Sequence, residues 1–230
     1  MKEFWDVLTL CFREWPILFK VKKLWKVELL MWLYYLFRLP GFDIWLQRRL
    51  IDRPADDFRF GDTPYQTGLT ILHKAKVTES DLFMDLGSGR GKMVFLAALA
   101  CHCQAVGIEL LPSYNLLCNR IAKNLHLEDQ VQFLNDDFLE CDLTGVNVIF
   151  TACTTWSDMT HDLLLDRVEE LPNGVRWISA GQEQRHPDLN LIGADTLLFS
   201  WGYEDVWFYE VKHQTSSTTD SSELDKNLQA

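Results

Sequence analysis

Short apolar runs alternate with amphipathic stretches from residue 81 onward. The apolar runs predict strands near residues 82–86, 104–109, 130–134, 146–151 and 174–179. The stretches between them have helical spacing, which predicts helices near 91–101, 113–125 and 158–169. Strands that alternate with helices at this interval indicate an α/β fold, with helices on both faces of a parallel sheet.

The last two apolar runs break this alternation. Residues 196–202 and 205–211 are β-rich and are separated only by Tyr203 and Glu204, which predicts an antiparallel hairpin. Residues 213–230 are polar and rich in Ser and Thr, so we expect a disordered tail there.

Residues 1–52 form an aromatic-rich segment whose apolar positions recur at helical spacing. We expect two helices here, joined near Pro16 or broken at Pro40-Gly41. The longest run without charge in this segment, Leu29 to Phe37, has nine residues. A transmembrane helix needs about 20, so we expect no span. The main domain is predicted to cover residues 53–212, and its first part, within residues 51–80, is predicted to be a loop followed by a helix.

Charge is distributed unevenly along the chain. The formal net charge is -11, from 22 Lys and Arg against 33 Asp and Glu. Residues 1–50 contain nine basic and five acidic residues, a net charge of +4, so the remaining 180 contain 13 and 28, a net charge of -15. Such an acidic chain is a poor candidate for nucleic-acid binding, because neutralising phosphates requires clustered Lys and Arg.

Cysteine usage suggests a reducing compartment. Six cysteines are too few for a disulfide-dense scaffold, and the chain opens on no secretory signal, so we expect a cytoplasmic protein. Cys101 and Cys103 flank His102, but no second pair of ligand residues accompanies them. We therefore predict no metal site.

The stretch "DLFMDLGSGRGKMVFLAA", residues 81–98, carries a glycine turn between the first strand and the helix that follows. A phosphate-binding P-loop needs four residues between its Gly and its Gly-Lys, followed by Ser or Thr. Here Gly87 and Gly91-Lys92 enclose three residues, and Met93 follows. A dinucleotide fingerprint is weakened rather than excluded, because the third glycine arrives one residue early.

The third candidate ligand is S-adenosylmethionine, whose polar groups need acids at successive strand ends. Asp85 is placed to meet its ammonium, and Glu109 its ribose hydroxyls. "FLNDDF" offers an acid and an apolar neighbour for adenine after the third strand. The predicted cofactor-binding residues are Asp85, Gly87, Ser88, Gly89, Gly91, Glu109, Asp136, Asp137 and Phe138.

Four blocks over roughly residues 58–182 resemble the class I S-adenosylmethionine-dependent methyltransferases, and more closely the non-SET histone lysine methyltransferases named for disruption of telomeric silencing. They are "FRFGDTPYQTG", "DLFMDLGSGRGKMVFLAA", "VGIEL" and "NDDFLE". In addition, residues 146–179 have the length and helix pattern of that family's fourth strand and following helix. The resemblance implies a Rossmann-like sheet of seven strands with an antiparallel C-terminal hairpin. It adds Asp62 and Thr63 to the cofactor site, with Tyr65 in a loop that closes over it.

The resemblance also marks where the methyl acceptor would bind. The family has an asparagine pair and a phenylalanine after the fourth strand, whereas this chain has Ala152, Cys153 and Thr154, and only the aromatic Trp156 matches. We interpret Thr151, Thr154, Thr155 and Trp156 as the acceptor wall. Arg90 and Lys92 are interpreted as surface residues of the first helical turn.

Several functions remain open at this stage. The leading interpretation is methyl transfer from S-adenosylmethionine to a protein lysine. A small-molecule methyltransferase, a catalytically inactive S-adenosylmethionine-binding module and a dinucleotide oxidoreductase are the alternatives. Residues 1–50 are interpreted as a helical cap that helps to form the cofactor lid, as a segment in peripheral contact with a membrane, or as a hydrophobic partner-binding site.

Overall fold

The computed structural model describes residues 2–36, 61–152, 154 and 156–213. The helices are α1 (Lys2–Lys20), α2 (Leu24–Leu36), α3 (Tyr65–Lys74), α4 (Lys92–Cys101), α5 (Pro112–Asn124) and α6 (Asp158–Asp166), the last continued by a short 3-10 helix (Arg167–Glu170). The strands are β1 (Leu82–Leu86), β2 (Gln104–Glu109), β3 (Val131–Asn135), β4 (Val148–Ala152), β5 (Arg176–Ala180), β6 (Leu189–Phe199) and β7 (Gly202–Val211).

The strands form one sheet of seven, in the order β3-β2-β1-β4-β5-β7-β6. Strands β1 to β5 are parallel, and β7 pairs antiparallel with both β5 and β6. The predicted Rossmann-like sheet with an antiparallel C-terminal hairpin is confirmed. In this order β1 is the middle one of the five parallel strands, so the glycine turn that follows it opens at the middle of their carboxyl edge.

Successive residues of the central strands pack into different apolar layers. Phe83 and Phe150 belong to the layer that also contains α3, α4 and the inner side of α2. Met84, Leu86 and Ile149 belong to the opposite layer, with Trp177 of β5. The parallel strands are therefore covered on both faces, as their nearly continuous apolar sequence predicts.

The hairpin turn differs from the predicted one. Strand β6 begins at Leu189 and ends at Phe199, so Ser200 and Trp201 form the turn, whereas Tyr203 and Glu204 lie inside β7. The hydrophobic pattern misses the first half of β6 because it contains Asn190, Gly193 and Asp195, which are poor strand formers. Pairing with β7 determines the extent of this edge strand, rather than its own hydrophobicity.

The break between the N-terminal helices also differs from prediction. Pro16 lies inside α1, and the chain turns at residues 21–23 instead. Lys23 adopts a positive φ of 71°, and its Nζ donates to the Leu125 carbonyl at 2.7 Å, so the turn is anchored to the end of α5. Pro40-Gly41 and the predicted tail at 214–230 lie outside the described residues. The division into three segments stays a prediction.

Candidate functional site

A pocket opens at the carboxyl edge of the sheet, where β1, β2 and β4 end. Eleven of the residues proposed from the sequence line it: Gly61, from the resembling loop, with Asp62, Thr63, Asp85, Gly87, Ser88, Gly89, Glu109, Phe138, Thr154 and Trp156. The other lining residues were not predicted: Lys92, Met93, Leu110, Leu111, Tyr114, Phe150, Ala152 and Trp201.

The glycine turn is fixed to the neighbouring strand by its own backbone. The N–H groups of Gly87 and Ser88 both donate to the Ile108 carbonyl at 2.9 Å. Gly87 has a φ of 87°, and a Cβ there would lie 3.4 Å from the Trp156 ring, so the turn brings bare backbone against an aromatic wall. Gly91 does not line the pocket. It is the N-cap residue of α4 and lies against Phe133.

Asp85 is a buried carboxyl at the end of β1, with 4% of its surface exposed. Burial raises its pKa to about 8, and the neighbouring Glu109 carboxylate adds to the rise. A buried acid beside a second acid resists ionisation until a cation arrives. Asp85 is therefore suited to receiving a positively charged group from the pocket.

Glu109 ends β2 and connects two loops. Its Oε2 accepts from the Gly89 N–H at 2.8 Å, and its Oε1 accepts from the Leu111 N–H at 2.8 Å. Burial raises the pKa of Glu109, while these two backbone donors oppose the rise. Each carboxylate oxygen has two lone pairs, so both oxygens keep acceptor capacity for hydroxyl groups of a ligand.

Of the three residues predicted to bind adenine, only one lines the pocket. Phe138 lines the pocket and stacks on Trp156, with ring centroids 4.5 Å apart and an interplanar angle of 20°. Asp136 and Asp137 do not line it. Asp136 Oδ1 accepts from the Asp137 N–H at 2.8 Å, and Asp137 Oδ1 accepts from the Leu139 N–H at 2.9 Å. Both carboxylates cap the turn after β3 instead.

A buried arginine that the sequence did not single out holds this turn in place. Arg167 Nη1 donates to the Phe138 carbonyl at 2.8 Å, and its Nη2 donates to the Cys141 carbonyl at 2.7 Å. Glu170 accepts from the same guanidinium at 2.6 Å. Because Arg167 bonds to the backbone of Phe138, it positions the aromatic wall of the pocket.

The predicted acceptor wall is only partly at the pocket. Thr154 and Trp156 line it, while Thr155 lies outside the described residues. Thr151 is fully buried away from it. Its hydroxyl donates to the Ile178 carbonyl at 3.3 Å and accepts from Trp177 Nε1 at 3.1 Å.

The loop ahead of the glycine turn is held by two contacts. Asp62 forms an ion pair with Arg90, which is therefore not a simple surface residue. Tyr65 is not part of a closing loop, because it is the first residue of α3 and 1% exposed. Trp201, from the β6–β7 turn, lies against Gly61, where a Cβ would be 2.4 Å from its ring.

Lys92 is half-buried between two acids rather than exposed as predicted. Its Nζ lies 3.5 Å from Glu14 Oε2 and 3.6 Å from Glu28 Oε1, and 4.2 Å from the centroid of the Tyr65 ring. The Tyr65 hydroxyl donates to Glu28 at 2.6 Å, and the Tyr65 N–H donates to Glu14. We call Glu14, Glu28, Tyr65 and Lys92 the inter-helix cluster, because it joins α1 and α2 to the pocket.

Removing the cation from the inter-helix cluster is expected to destabilise the protein. Lys92→Met keeps much of the side-chain volume but leaves two part-buried carboxylates facing each other, so we expect a loss of about 2 kcal/mol in the free energy of unfolding. The double variant Lys92→Met/Glu28→Gln should recover part of the loss. Urea denaturation measures both, and equal stability of the single variant and the native protein would contradict the expectation.

Residues 53–186 match the family model described as "Histone methylation protein DOT1". The chain belongs to this family. The resemblance drawn from the sequence is confirmed, and the protein is an S-adenosylmethionine-dependent methyltransferase. No curated protein matches the chain significantly in sequence.

Solved structures of methyltransferases share the fold of this DOT1-family chain. An RNA methyltransferase from Salinibacter ruber, crystallised with S-adenosyl-L-homocysteine, is 24% identical, with a TM-score of 0.53 over 69% of this chain and 99% of that one. TrmN from Thermus thermophilus is 16% identical, with a TM-score of 0.58 over 68% and 51%. Geranyl diphosphate C-methyltransferase from Streptomyces coelicolor A3(2) is 16% identical, with a TM-score of 0.54 over 65% and 78%.

The described residues meet neither the requirements of a metal site nor those of a transmembrane helix. In residues 2–36, 61–152, 154 and 156–213, no three His, Cys, Asp or Glu side chains cluster as metal ligands would. Within the same ranges, no helix combines the length and the apolar character that crossing a bilayer requires.

Proposed function

We propose that this DOT1-family protein transfers a methyl group from S-adenosylmethionine to a lysine side chain of another protein. One observation supports this choice of acceptor. The acceptor side of the pocket is aromatic, and the positive charge of the pocket residue Lys92 is balanced by carboxylates of the protein. Trp156 and Trp201 offer ring faces, while Lys92 is paired with Glu14 and Glu28. Aromatic faces suit an alkyl chain that ends in an amine.

The residues of the pocket fit the cofactor group by group. Asp85 would pair with the ammonium of the methionine end, and the bare backbone of Gly87 and Gly89 permits close approach there. Glu109 would accept from the ribose hydroxyls with the lone pairs that Gly89 and Leu111 leave. Phe138 would pack against adenine. When bound, S-adenosylmethionine supplies an electrophilic methyl group on a sulfonium whose positive charge is lost on transfer.

The chain contributes mainly orientation and exclusion of water. A lysine ammonium must lose its proton to water before its nitrogen lone pair is available. Thr154, Trp156 and Trp201 would then hold the neutral amine in line with the methyl group, and their apolar surfaces would keep bulk water away. These roles require no proton acceptor on the protein.

Charge argues against a phosphate-bearing acceptor. Residues 51–230 carry 13 basic and 28 acidic residues, a net charge of -15, which repels a polyanion. Among the described residues that line the pocket, the basic side chain is Lys92, and its charge is taken up by two carboxylates. Similarity in fold to methyltransferases of RNA and of geranyl diphosphate therefore does not extend to their acceptors.

The test is methyl transfer with radiolabelled S-adenosylmethionine into separate protein, RNA and small-molecule fractions. We expect label in protein, recovered as methyl-lysine after hydrolysis. Trp201→Ala should lower kcat/KM for the acceptor about tenfold and change the Kd of the cofactor much less, because the ring covers the acceptor side and touches the cofactor loop only at Gly61. Tyr203→Ala, in the same hairpin but outside the pocket, is the matched control.

Other outcomes would identify a different function. Label in RNA or in small molecules would contradict the lysine assignment. Cofactor binding without label in any fraction would favour the inactive binding module. A tenfold effect of Tyr203→Ala would show that the hairpin as a whole, and not the Trp201 ring, accounts for the loss.

A further inference from the structure

Helix α2 is apolar on two opposite sides, and the described residues cover only one of them. Leu24, Val27 and Met31 are buried against the core. Trp25, Leu29, Trp32 and Leu36 follow one another at intervals of four, three and four residues, which places them in one stripe, and Trp32 is 59% exposed. A helix that is apolar all round is normally buried all round, whereas this stripe is covered by none of the residues that the structure describes.

Helix α1 has a second exposed stripe of the same kind. Phe12, Trp15 and Phe19 are spaced by three and four residues and are 74%, 61% and 65% exposed. Single exposed apolar side chains are ordinary, but large aromatic rings repeated along two consecutive helices mark an interaction surface. We call the exposed side chains of residues 12–36 the N-terminal surface.

In residues 12–36, most basic side chains are exposed and the acidic side chains face the interior. Arg13, Lys20, Lys22 and Lys26 are exposed, and no acid among residues 12–36 is exposed. Both acids of this range belong to the inter-helix cluster, where they face Lys92. The N-terminal surface is therefore aromatic, aliphatic and positively charged.

We propose that the N-terminal surface docks on an anionic lipid bilayer and lies in its interface. Trp rings suit the headgroup level, and basic side chains beside them attract anionic lipids. A second copy of the chain fits less well, because pairing two such surfaces would bring four basic side chains from each copy together without an exposed acid to offset them. A span of the bilayer is not involved, since neither helix has the apolar length for it.

The charge of the rest of the protein orients this docking. Residues 51–230 carry a net charge of -15, against +4 for residues 1–50. A negative membrane repels the methyltransferase domain and attracts the helices, so electrostatics alone favours approach with the N-terminal surface first. Aromatic and aliphatic side chains then enter the interface, where their burial stabilises the bound state.

The test is flotation of the full chain with two kinds of vesicle, phosphatidylcholine alone and phosphatidylcholine mixed with phosphatidylglycerol. We expect flotation with the mixed vesicles only, weakened at high salt. Trp25→Ser/Trp32→Ser and, separately, Lys20→Glu/Lys26→Glu should each lower the partition coefficient at least about tenfold. Leu191→Ser/Ile192→Ser removes two exposed apolar side chains from β6 and should leave it unchanged.

Three results would overturn the proposal. The first is failure of the full chain to float with the mixed vesicles. The second is equal flotation with both kinds of vesicle, since charge would then play no part. The third is elution of the free protein as a dimer that Trp25→Ser/Trp32→Ser converts to a monomer, which would assign the surface to a second copy.

Discussion

Asp85→Asn is expected to abolish binding of S-adenosylmethionine and, in the free protein, to raise the free energy of unfolding at alkaline pH. The two effects have one cause. The Asp85 carboxylate is costly in the empty pocket because it is buried beside Glu109, and it becomes favourable only when a cation pairs with it. Asparagine has nearly the same shape but carries no charge in either situation.

The pH dependence of this effect follows from the direction of the pKa shift. The pKa of Asp85 is about 8 in the folded protein and about 3.9 in an unfolded chain. The folded state therefore holds a proton that the unfolded state releases across this window, so the contribution of Asp85 to stability falls as pH rises from about 4 to about 8. The Asp85→Asn protein would avoid this loss, which is on the order of 5 kcal/mol at pH 9 and small near pH 4, since each pKa unit corresponds to about 1.4 kcal/mol.

Urea denaturation at several pH values and calorimetry with S-adenosylmethionine measure the two effects. Cofactor affinity of the native protein should itself rise with pH up to about 8, because Asp85 must be ionised to pair with an ammonium. Asp136→Asn is the matched control, since that carboxylate is exposed in the turn after β3. Native-like cofactor binding by the Asp85→Asn protein would refute the assigned role.

Gly91→Ala is expected to destabilise the protein by about 3 kcal/mol. Gly91 has a φ of 71°, and a Cβ there would lie 2.4 Å from Phe133 Cε1. The substitution therefore combines a strained backbone with a clash against the Phe133 ring, which packs on Phe95 with centroids 5.0 Å apart. Gly91 is both the last glycine of the turn and the N-cap residue of α4. A shift of its backbone would therefore move the glycine turn, and the same change should weaken cofactor binding.

Gly145→Ala separates the two contributions. Gly145 has a φ of 77°, but nothing lies within 4 Å of a Cβ built there. The free energy of unfolding of the Gly145→Ala protein should fall only by the cost of the strained backbone, about 1 kcal/mol. Chemical denaturation of both variants gives the comparison, and equal losses would show that Phe133 yields without cost.

The sequence predicted the central strands well because each is a short, largely apolar run that stands between segments of helical spacing. The carboxyl ends of parallel strands meet at one edge of the sheet, so Asp85 and Glu109 could be placed in one pocket from their positions alone. Thr151 was wrongly predicted to face the pocket, because the alternation of side chains along β4 was not applied. Side chains alternate along a strand, and because Phe150 and Ala152 line the pocket, Thr151 must face the other layer.

Contacts between distant parts of the chain could not be predicted from one sequence. Lys92 meets Glu14 and Glu28, which are 78 and 64 residues earlier. No local pattern distinguishes a lysine that finds such partners from a solvated one. Trp201 was missed because the hydrophobic pattern predicts the hairpin turn three residues too late, and only the pairing of β6 with β7 determines which residue of that turn reaches the pocket.

The inter-helix cluster is a direct contact between the pocket and the helices that carry the N-terminal surface. Lys92 lines the pocket, and its two carboxylate partners belong to helices whose other sides form the proposed lipid-binding surface. Reciprocity of binding equilibria requires that any factor by which lipid changes cofactor affinity equals the factor by which cofactor changes lipid affinity. A bilayer would then act on this enzyme as an effector as well as a location.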